Sequence, residues 1–302
     1  MSRRPHLRLP PRTRRAPLAA CAALLLAAGC GGSGGPPSPE SGADPETAQE
    51  PRVTMAATAP GALPAAILGE APPLGGFDVA YDDANPASTG YLALPDGDGP
   101  FPAVILIHEW NGLVDRVRET ADALAAEGYV ALAADLFSGQ TGSNPEENRA
   151  LVQAARADPP AMIANLDAAV EFLRARPDVT GRIGAMGWCF GGGVALSFGL
   201  DGVNHEATAI FYGQLLDDPE ALAHIGHEVY GTFAREDQGP SPEQVDRFRQ
   251  ALDAAGVEHD LHIYDEVNHG FWLRVDQDPE VRTAPALDAW QRLKAYLART
   301  LG

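Results

Sequence analysis

The sequence predicts an α/β fold in which a mainly parallel sheet is covered by helices on both faces. Short apolar segments that resemble buried strands alternate with longer segments whose apolar residues recur at helical spacing. One of these strands runs into a helix through Gly187-Trp188-Cys189-Phe190-Gly191, a sharp turn between two glycines. Parallel strands need long crossover connections, and the intervening helices supply them.

The elements follow one another in a regular order. Strands are predicted near residues 77–81, 89–94, 103–107, 130–133, 182–186, 207–212, 228–234 and 258–264. Helices are predicted over residues 114–127, 160–175, 242–255 and 285–299, and several of them begin at proline or aspartate. The longest stretch outside this alternation is 137–158. It leaves little room for a large cap domain.

The amino-terminal end differs in composition from the rest of the 302 residues. Six arginines without an acid precede the apolar stretch Leu18–Ala28, which is shorter than the roughly 20 residues of a membrane span. A signal peptide is therefore expected over residues 1–29. Its ending, Leu26-Ala27-Ala28-Gly29-Cys30, resembles a bacterial lipobox, which implies that Cys30 is lipidated and holds the exported protein on a membrane of the cell envelope. An ordinary cleaved signal and an uncleaved anchor are the alternatives.

Composition and charge indicate the domain organisation of the remaining chain and the partners that it excludes. Residues 30–71 are rich in Gly, Pro and Ser and are predicted to form a disordered tether, followed by one folded domain over residues 72–302. The formal charge of −19 becomes more negative once the signal arginines are removed. Such a surface repels polyanions, so nucleic acid is not an expected partner.

Cysteine usage points to Cys189. Cys21 lies in the predicted signal and Cys30 at the proposed lipidation point, so Cys189 has no disulfide partner in the folded domain. An exported protein that keeps one free thiol is exposed to oxidation, which favours a chemical role for that thiol. The flanking Gly187 and Gly191 suit a turn that lifts the side chain clear of the sheet.

An acid and a histidine follow this turn in the order typical of α/β-hydrolases. Asp237 follows an apolar strand and is the favoured acid, with Glu236 and Asp265 as alternatives, and His269 is the candidate base. In this interpretation Cys189 attacks a carbonyl, His269 transfers protons, and Asp237 orients His269. The N–H of Phe190, the residue after the nucleophile, would help to form an oxyanion hole.

Together with His108-Glu109-Trp110 after an early strand, these motifs resemble the dienelactone hydrolase (carboxymethylenebutenolidase) family over roughly residues 72–302. The resemblance implies an α/β-hydrolase fold without a large cap domain. It also implies that Glu109 modulates the nucleophile and that the Trp110 N–H is the second oxyanion donor. A carboxylate beside Cys189 would disfavour the thiolate by like-charge repulsion and so protect the resting thiol.

The substrate contacts are less defined. Arg274 could bind a substrate carboxylate, but its spacing from His269 is one residue longer than the family pattern, which leaves the preference for a carboxylated dienelactone open. Tyr91 and Trp272, like Trp110, could wall the pocket or could equally belong to the core.

The function expected is cleavage of small lactones or esters through a thioester acyl-enzyme, by a monomer without metal or cofactor. His224 and His227 are expected at the surface and His205 on a turn, so none of them indicates a metal site. A general carboxylesterase or thioesterase of the same fold is the main alternative. A surface-tethered binding protein without catalysis is the third.

Overall fold

The computed structural model describes residues 50–202 and 205–302. The predicted signal peptide and Cys30 lie outside these residues. Within them, no helix combines the length and the apolar character that crossing a bilayer requires.

The strands β1 to β8 are Phe77–Ala80, Thr89–Ala93, Phe101–Ile107, Val130–Ala134, Val179–Trp188, Ala207–Phe211, Val229–Ala234 and His259–Tyr264. The helices α1 to α8 are Ala65–Leu68, Asp115–Ala126, Pro145–Arg156, Pro159–Arg174, Phe190–Asp201, Pro219–Leu222, Pro242–Ala255 and Pro279–Leu301. A 3₁₀ helix spans Trp272–Gln277. Each predicted strand and each predicted helix is present.

The strands form one sheet in the order β1-β2-β4-β3-β5-β6-β7-β8. The pairs β1/β2 and β2/β4 are antiparallel, and every pair from β4 to β8 is parallel. Side chains alternate between the two faces, as strand geometry requires. On β3, Val104 and Leu106 pack in the cluster that contains α2 and α8, whereas Ile105 and Ile107 pack in the cluster that contains α4 and α5. The prediction of a mainly parallel sheet with helices on both faces is confirmed.

The topology places the candidate residues at one edge of the sheet. The loops after β3, β5, β6, β7 and β8 all leave from the carboxyl ends of parallel strands. Ligands of such sheets bind outside these ends, because there the side chains of several loops converge.

The folded domain begins earlier than predicted. Val53 is 1% exposed and donates its backbone N–H to Leu94 O at 2.8 Å, and Ile67 in α1 is fully buried. The prediction of a disordered tether is therefore wrong for residues 50–71. Most of the apolar residues in this segment are alanines, but Val53, Leu63 and Ile67 all belong to the hydrophobic cluster that contains α2.

Helix α3 lies within the segment 137–158, for which no helix was predicted. The Asn144 side chain accepts hydrogen bonds from the N–H groups of Glu146 and Glu147, both at 3.1 Å, and Pro145 is the first helical residue. Its apolar face is short: Leu151, Val152 and Ala155 pack half-buried against the cluster that contains α4 and α5, and Asn148 is its fully buried residue.

Candidate active site

Cys189 occupies the turn between β5 and α5 with φ +55° and ψ −114°. Residues other than glycine rarely adopt this backbone conformation. Its N–H donates to Phe211 O at 3.0 Å. A methyl group on Gly187 would overlap the carbonyl oxygen of Gly191, and one on Gly191 would overlap that of Ile107. The close approach of the neighbouring backbone therefore requires both glycines and fixes the direction of the thiol.

His269 lies in the loop after β8 and Asp237 in the loop after β7. His269 Nδ1 is 2.7 Å from Asp237 Oδ2, and the other oxygen, Oδ1, accepts the N–H of Gly239 at 2.9 Å. The Asp237 side chain is 4% exposed. A buried carboxylate held on both oxygens orients the ring and leaves Nε2 available to the nucleophile.

The alternative acids lie elsewhere. Asp265 is 74% exposed and forms an ion pair with Arg235 at 2.9 Å. Glu236 is exposed, and its N–H donates to Val267 O at 3.0 Å, which ties the two loops together. Of the three candidates, Asp237 is the one that contacts His269.

The environment of His269 favours its protonated form. Burial alone lowers the pKa of an imidazole. Hydrogen bonds to Asp237 and Cys189, together with the negative charges of these two groups, outweigh burial and raise the pKa of His269 to about 10. The ring is therefore suited to stabilise a thiolate on Cys189.

Glu109 and Arg274 form a second charged pair. Arg274 Nη2 lies 2.8 Å from Glu109 Oε2, and the Glu109 side chain is 8% exposed. Burial raises the pKa of Glu109, while the charges of Arg274, His269 and Arg116 oppose that rise. Arg274, predicted as a possible contact for a substrate carboxylate, thus binds a carboxylate of the protein in this structure.

Phe190 and Trp110, the predicted oxyanion donors, follow two adjacent parallel strands at their carboxyl ends. Phe190 is the first residue of α5, where N–H groups have no intrahelical partner. Trp110 follows β3, the strand adjacent to β5. Both residues line the same cleft as Cys189 and His269.

That cleft has a volume of about 870 Å³. Helix α3 forms one wall with Arg149, Gln153 and Arg156, and Tyr212 contributes to the lining beside His269. The sequence interpretation missed these residues. The Asn-Pro-Glu-Glu start of α3 was a usable helix signal, and Tyr212 follows a buried strand at the functional edge of the sheet.

Two predicted pocket residues belong to the core instead. Tyr91 is 2% exposed on β2, and its hydroxyl donates to Asp122 Oδ1 at 2.7 Å. Trp272 is fully buried and stacks on Trp188 with ring centroids 5.7 Å apart. The possible substrate-contact role is corrected for both, because both side chains pack in the hydrophobic cluster that contains α2 and α8 and neither lines the cleft.

His108 has a structural role. Its Nε2 accepts the N–H of Leu136 at 3.1 Å, so Nδ1 carries the proton and donates to Glu109 O at 2.7 Å. Burial lowers the pKa of His108, which keeps the ring neutral. Across residues 50–202 and 205–302, no cluster of three or more His, Cys, Asp or Glu side chains has the geometry to hold a metal ion.

The chain is similar to known proteins over most of its folded domain. The family model of the dienelactone hydrolase family matches residues 89–301. A Methylorubrum extorquens protein with a provisional carboxymethylenebutenolidase name is 31% identical over 220 residues, which cover 68% of this chain and 75% of that protein. An Escherichia coli K12 protein with the same provisional name is 28% identical over 67% of this chain and 79% of its own length.

A solved Klebsiella pneumoniae structure, provisionally described as a dienelactone hydrolase, has the same fold. Its TM-score is 0.66 at 24% identity, and the alignment covers 74% of this chain and 98% of that one. The family match begins at β2 and ends within α8, so it includes the turn at Cys189, both loops that carry Asp237 and His269, and the strand before Glu109. On this sequence match and this architecture, the chain is a hydrolase that belongs to the dienelactone hydrolase family of the α/β-hydrolase fold.

Proposed function

We propose that this protein cleaves small lactones or esters through a thioester acyl-enzyme on Cys189. The observation that carries the proposal is the line of contacts from Asp237 through His269 to Cys189, with His269 and Cys189 both lining the cleft. Nucleophile, base and orienting acid in this arrangement are the parts that covalent acyl transfer needs.

In the first step the Cys189 thiol transfers its proton to His269, and the sulfur attacks the substrate carbonyl carbon. The N–H groups of Trp110 and Phe190 would stabilise the negative charge that develops on the carbonyl oxygen. His269 then donates a proton to the leaving alcohol oxygen as the C–O bond breaks and the thioester forms. In the second step His269 takes a proton from water, the hydroxide oxygen attacks the thioester, and Cys189 leaves.

Glu109 would act on the resting enzyme. Its carboxylate lies among the charges around Cys189 and is partly neutralised by Arg274. A carboxylate near the sulfur disfavours the thiolate, and this would limit oxidation of the thiol between turnovers.

The cleft bears on the substrate class. A volume of about 870 Å³ exceeds the needs of a small lactone, which favours a general carboxylesterase or thioesterase as the second candidate. A carboxylated dienelactone and a neutral aryl ester should be compared in wild type and in Arg274→Gln. Selective loss of the dienelactone reaction would support carboxylate recognition, whereas equal loss would assign Arg274 to its pairing with Glu109.

Cys189→Ala tests the central proposal. We expect turnover to fall by roughly 10³-fold or more, because the nucleophile is removed. The wild type should show a burst of alcohol release, and mass analysis of quenched enzyme should show an acyl adduct on Cys189. Full turnover by Cys189→Ala would reject the mechanism.

We also propose export and lipid anchoring through Cys30, which rests on the lipobox-like end of the predicted signal. Fatty-acid labelling of the full chain in a bacterial host should be lost in Cys30→Ala. Labelling that survives this substitution would exclude Cys30 as the anchor.

A further inference from the structure

His269 lies in a short turn between two buried residues. Val267 is 2% exposed and Phe271 is fully buried, so both ends of the turn are fixed in the core. In the described part of the chain, residues 268–270 make no backbone hydrogen bond to a neighbouring loop. The position of the His269 ring therefore depends on side-chain contacts. Asp237 supplies one of these contacts, on the ring itself.

Arg282, in the first turn of α8, makes two further contacts with this part of the chain. Its Nη2 donates to Asn268 Oδ1 at 3.3 Å, and Asn268 directly precedes His269. Its Nη1 donates to the backbone oxygen of Arg274 at 2.7 Å. Arg274 has φ −131° and ψ 37°, a non-helical conformation at which the 3₁₀ helix is kinked. Arg282 thus joins the residue before His269 to the kink that follows it.

The partners of Arg282 are unusual for a partly exposed arginine. The chain has 41 Asp and Glu residues, yet both side-chain hydrogen bonds of Arg282 end on uncharged oxygens. Arg292, later in the same helix, shows the ordinary pattern, with Asp288 at 2.7 Å and Asp260 at 3.5 Å. A guanidinium can hold two acceptors at once, because its N–H groups form a rigid planar fork. Arg282 is therefore suited to bridging two pieces of backbone.

The bridged segment is packed closely on itself. Gly270, next to His269, has φ +79°, and a methyl group on it would overlap Nη1 of Arg274. The Arg274 guanidinium therefore lies directly against the backbone of the turn. A shift of the kink at Arg274 would displace this guanidinium and, through Gly270, the adjacent His269.

We propose that Arg282 is a positioning residue, which holds His269 in line with Asp237 and Cys189 by joining Asn268 to the backbone oxygen at the kink. It acts through the backbone of the turn and touches neither the substrate nor the reacting atoms. This inference rests on the proposed role of His269 as the base. It assigns a part in turnover to an arginine of α8 that lies outside the cleft.

Arg282→Met removes the N–H donors and keeps a long, unbranched side chain with good helix propensity. We expect kcat for ester cleavage to fall roughly 10-fold, because a displaced base transfers protons poorly. KM should stay within about twofold of the wild type, because Arg282 does not line the cleft. Arg282→Lys keeps the charge but lacks the planar fork, so its ammonium should hold one of the two oxygens and recover part of the loss.

The pH–rate profile separates positioning from a simple effect of charge. The groups that face the His269 ring are Asp237 after β7, Cys189 after β5, Glu109 after β3 and Tyr212 after β6. In a loosened turn the contacts with Asp237 and Cys189 weaken, so the pKa of His269 falls from about 10 towards its ordinary value. The alkaline limb should then move to lower pH by about half to one unit. Removal of a nearby positive charge alone would move this limb to higher pH. An upward shift, or an unchanged limb, would overturn the proposal.

Arg292→Met is the matched control, because it makes the same substitution on the same helix at a residue that pairs with Asp288 and Asp260. Melting temperatures are measured for each variant, and turnover is assayed well below every transition. The control should keep the wild-type kcat and alkaline limb. An equal loss of kcat in both methionine variants, or full recovery by Arg282→Lys, would reject the bridge. Turnover by Cys189→Ala would instead overturn the proposed function, so the two failures are distinguishable.

Discussion

The charge on His269 depends on one buried carboxylate. Asp237 accepts hydrogen bonds from His269 Nδ1 and from the Gly239 N–H, and its side chain is 4% exposed. Water screens such a carboxylate poorly, so its interaction with the imidazole is stronger than that of an exposed pair. This interaction helps to hold the pKa of His269 near 10 against the effect of burial.

Asp237→Asn should therefore weaken both the orientation and the protonation of His269. We expect kcat/KM to fall by roughly 10²–10⁴-fold, as in other triads that lose the orienting carboxylate. The pKa of His269 should drop, which moves the alkaline limb of the pH–rate profile to lower pH. The control is Asp265→Asn, an exposed acid paired with Arg235, which should leave the profile unchanged. Near wild-type activity in Asp237→Asn would contradict this assignment.

The residues that sequence reasoning grouped correctly share one property. Glu109, Cys189, Asp237 and His269 all follow strands whose carboxyl ends lie at the same edge of the sheet, so chain order and strand assignment were enough to bring them together. Chain order and strand assignment do not predict where the Tyr91 and Trp272 side chains lie. Whether an aromatic ring faces a cleft or a core depends on side-chain direction, which residue type does not specify.

Two histidines, His205 and His227, contact the same residue of β6 at the end of the sheet opposite the active site. His205 Nε2 and His227 Nε2 lie 3.0 Å and 2.7 Å from the same atom, Thr208 Oγ1 on β6. One hydroxyl can donate to one ring and accept from the other, and the ring that accepts the hydroxyl proton must then be neutral. His227, which was expected at the surface, is half-buried, and its ring makes this shared contact.

These histidines should make the protein sensitive to acid. Burial lowers the pKa of His205 to about 3, with a contribution from His227, and burial lowers the pKa of His227 to about 4. Both values lie below the ordinary 6.5, so between pH 6.5 and 4 the unfolded chain binds protons that the folded chain does not. The free energy of unfolding should then decrease as the pH falls through this window, by on the order of several kcal/mol.

Thermal unfolding at pH 7, 5.5 and 4.5 measures this decrease. His227→Gln keeps a polar side chain without a titrating group, so it should show a smaller loss of melting temperature between pH 7 and 4.5 than the wild type. The exposed His224, substituted by Gln, is the control and should behave as the wild type does. An identical pH dependence in all three proteins would exclude the histidine pair as the cause.

Helix α3 illustrates why some helices are not predicted from the sequence. The strands and the helices of the core carry apolar patterns because burial selects them. Helix α3 lies along the cleft and begins at a capping motif at Asn144, but its apolar face is short and half-buried, unlike that of a core helix. Its arginines at the cleft could only be placed once the helix was known.

For the molecule as a whole, the amino-terminal arm of residues 50–71 is part of the folded domain. Arg176 contacts Glu50 at 2.6 Å and Asp178 at 2.9 Å at the start of β5, which ties the beginning of the arm to the edge opposite Cys189. Farther along, α1 packs against α2 and the 3₁₀ helix that carries Arg274. The arm therefore supports one side of the active site although composition gave it the character of a linker.

A chain that begins at residue 73 should be less stable than one that begins at residue 50. The shorter chain lacks Val53, Leu63 and Ile67, and burial of each such side chain stabilises the fold by about 1.5–3 kcal/mol. A loss of several kcal/mol in a domain of this size corresponds to a melting temperature lower by roughly 10 °C. Because α1 also supports the 3₁₀ helix, the turnover of the shorter chain should fall even below its melting transition.

Point substitutions in the longer chain separate packing from length. Ile67→Ala removes a fully buried side chain and should reproduce part of the loss, at about 2–5 kcal/mol. Leu74 is 38% exposed, so Leu74→Ala should leave the melting temperature within about a degree of the wild type. If the chain from residue 73 melts at the same temperature as the chain from residue 50, the arm does not stabilise the domain, and the boundary near residue 72 that composition indicates would be the correct one.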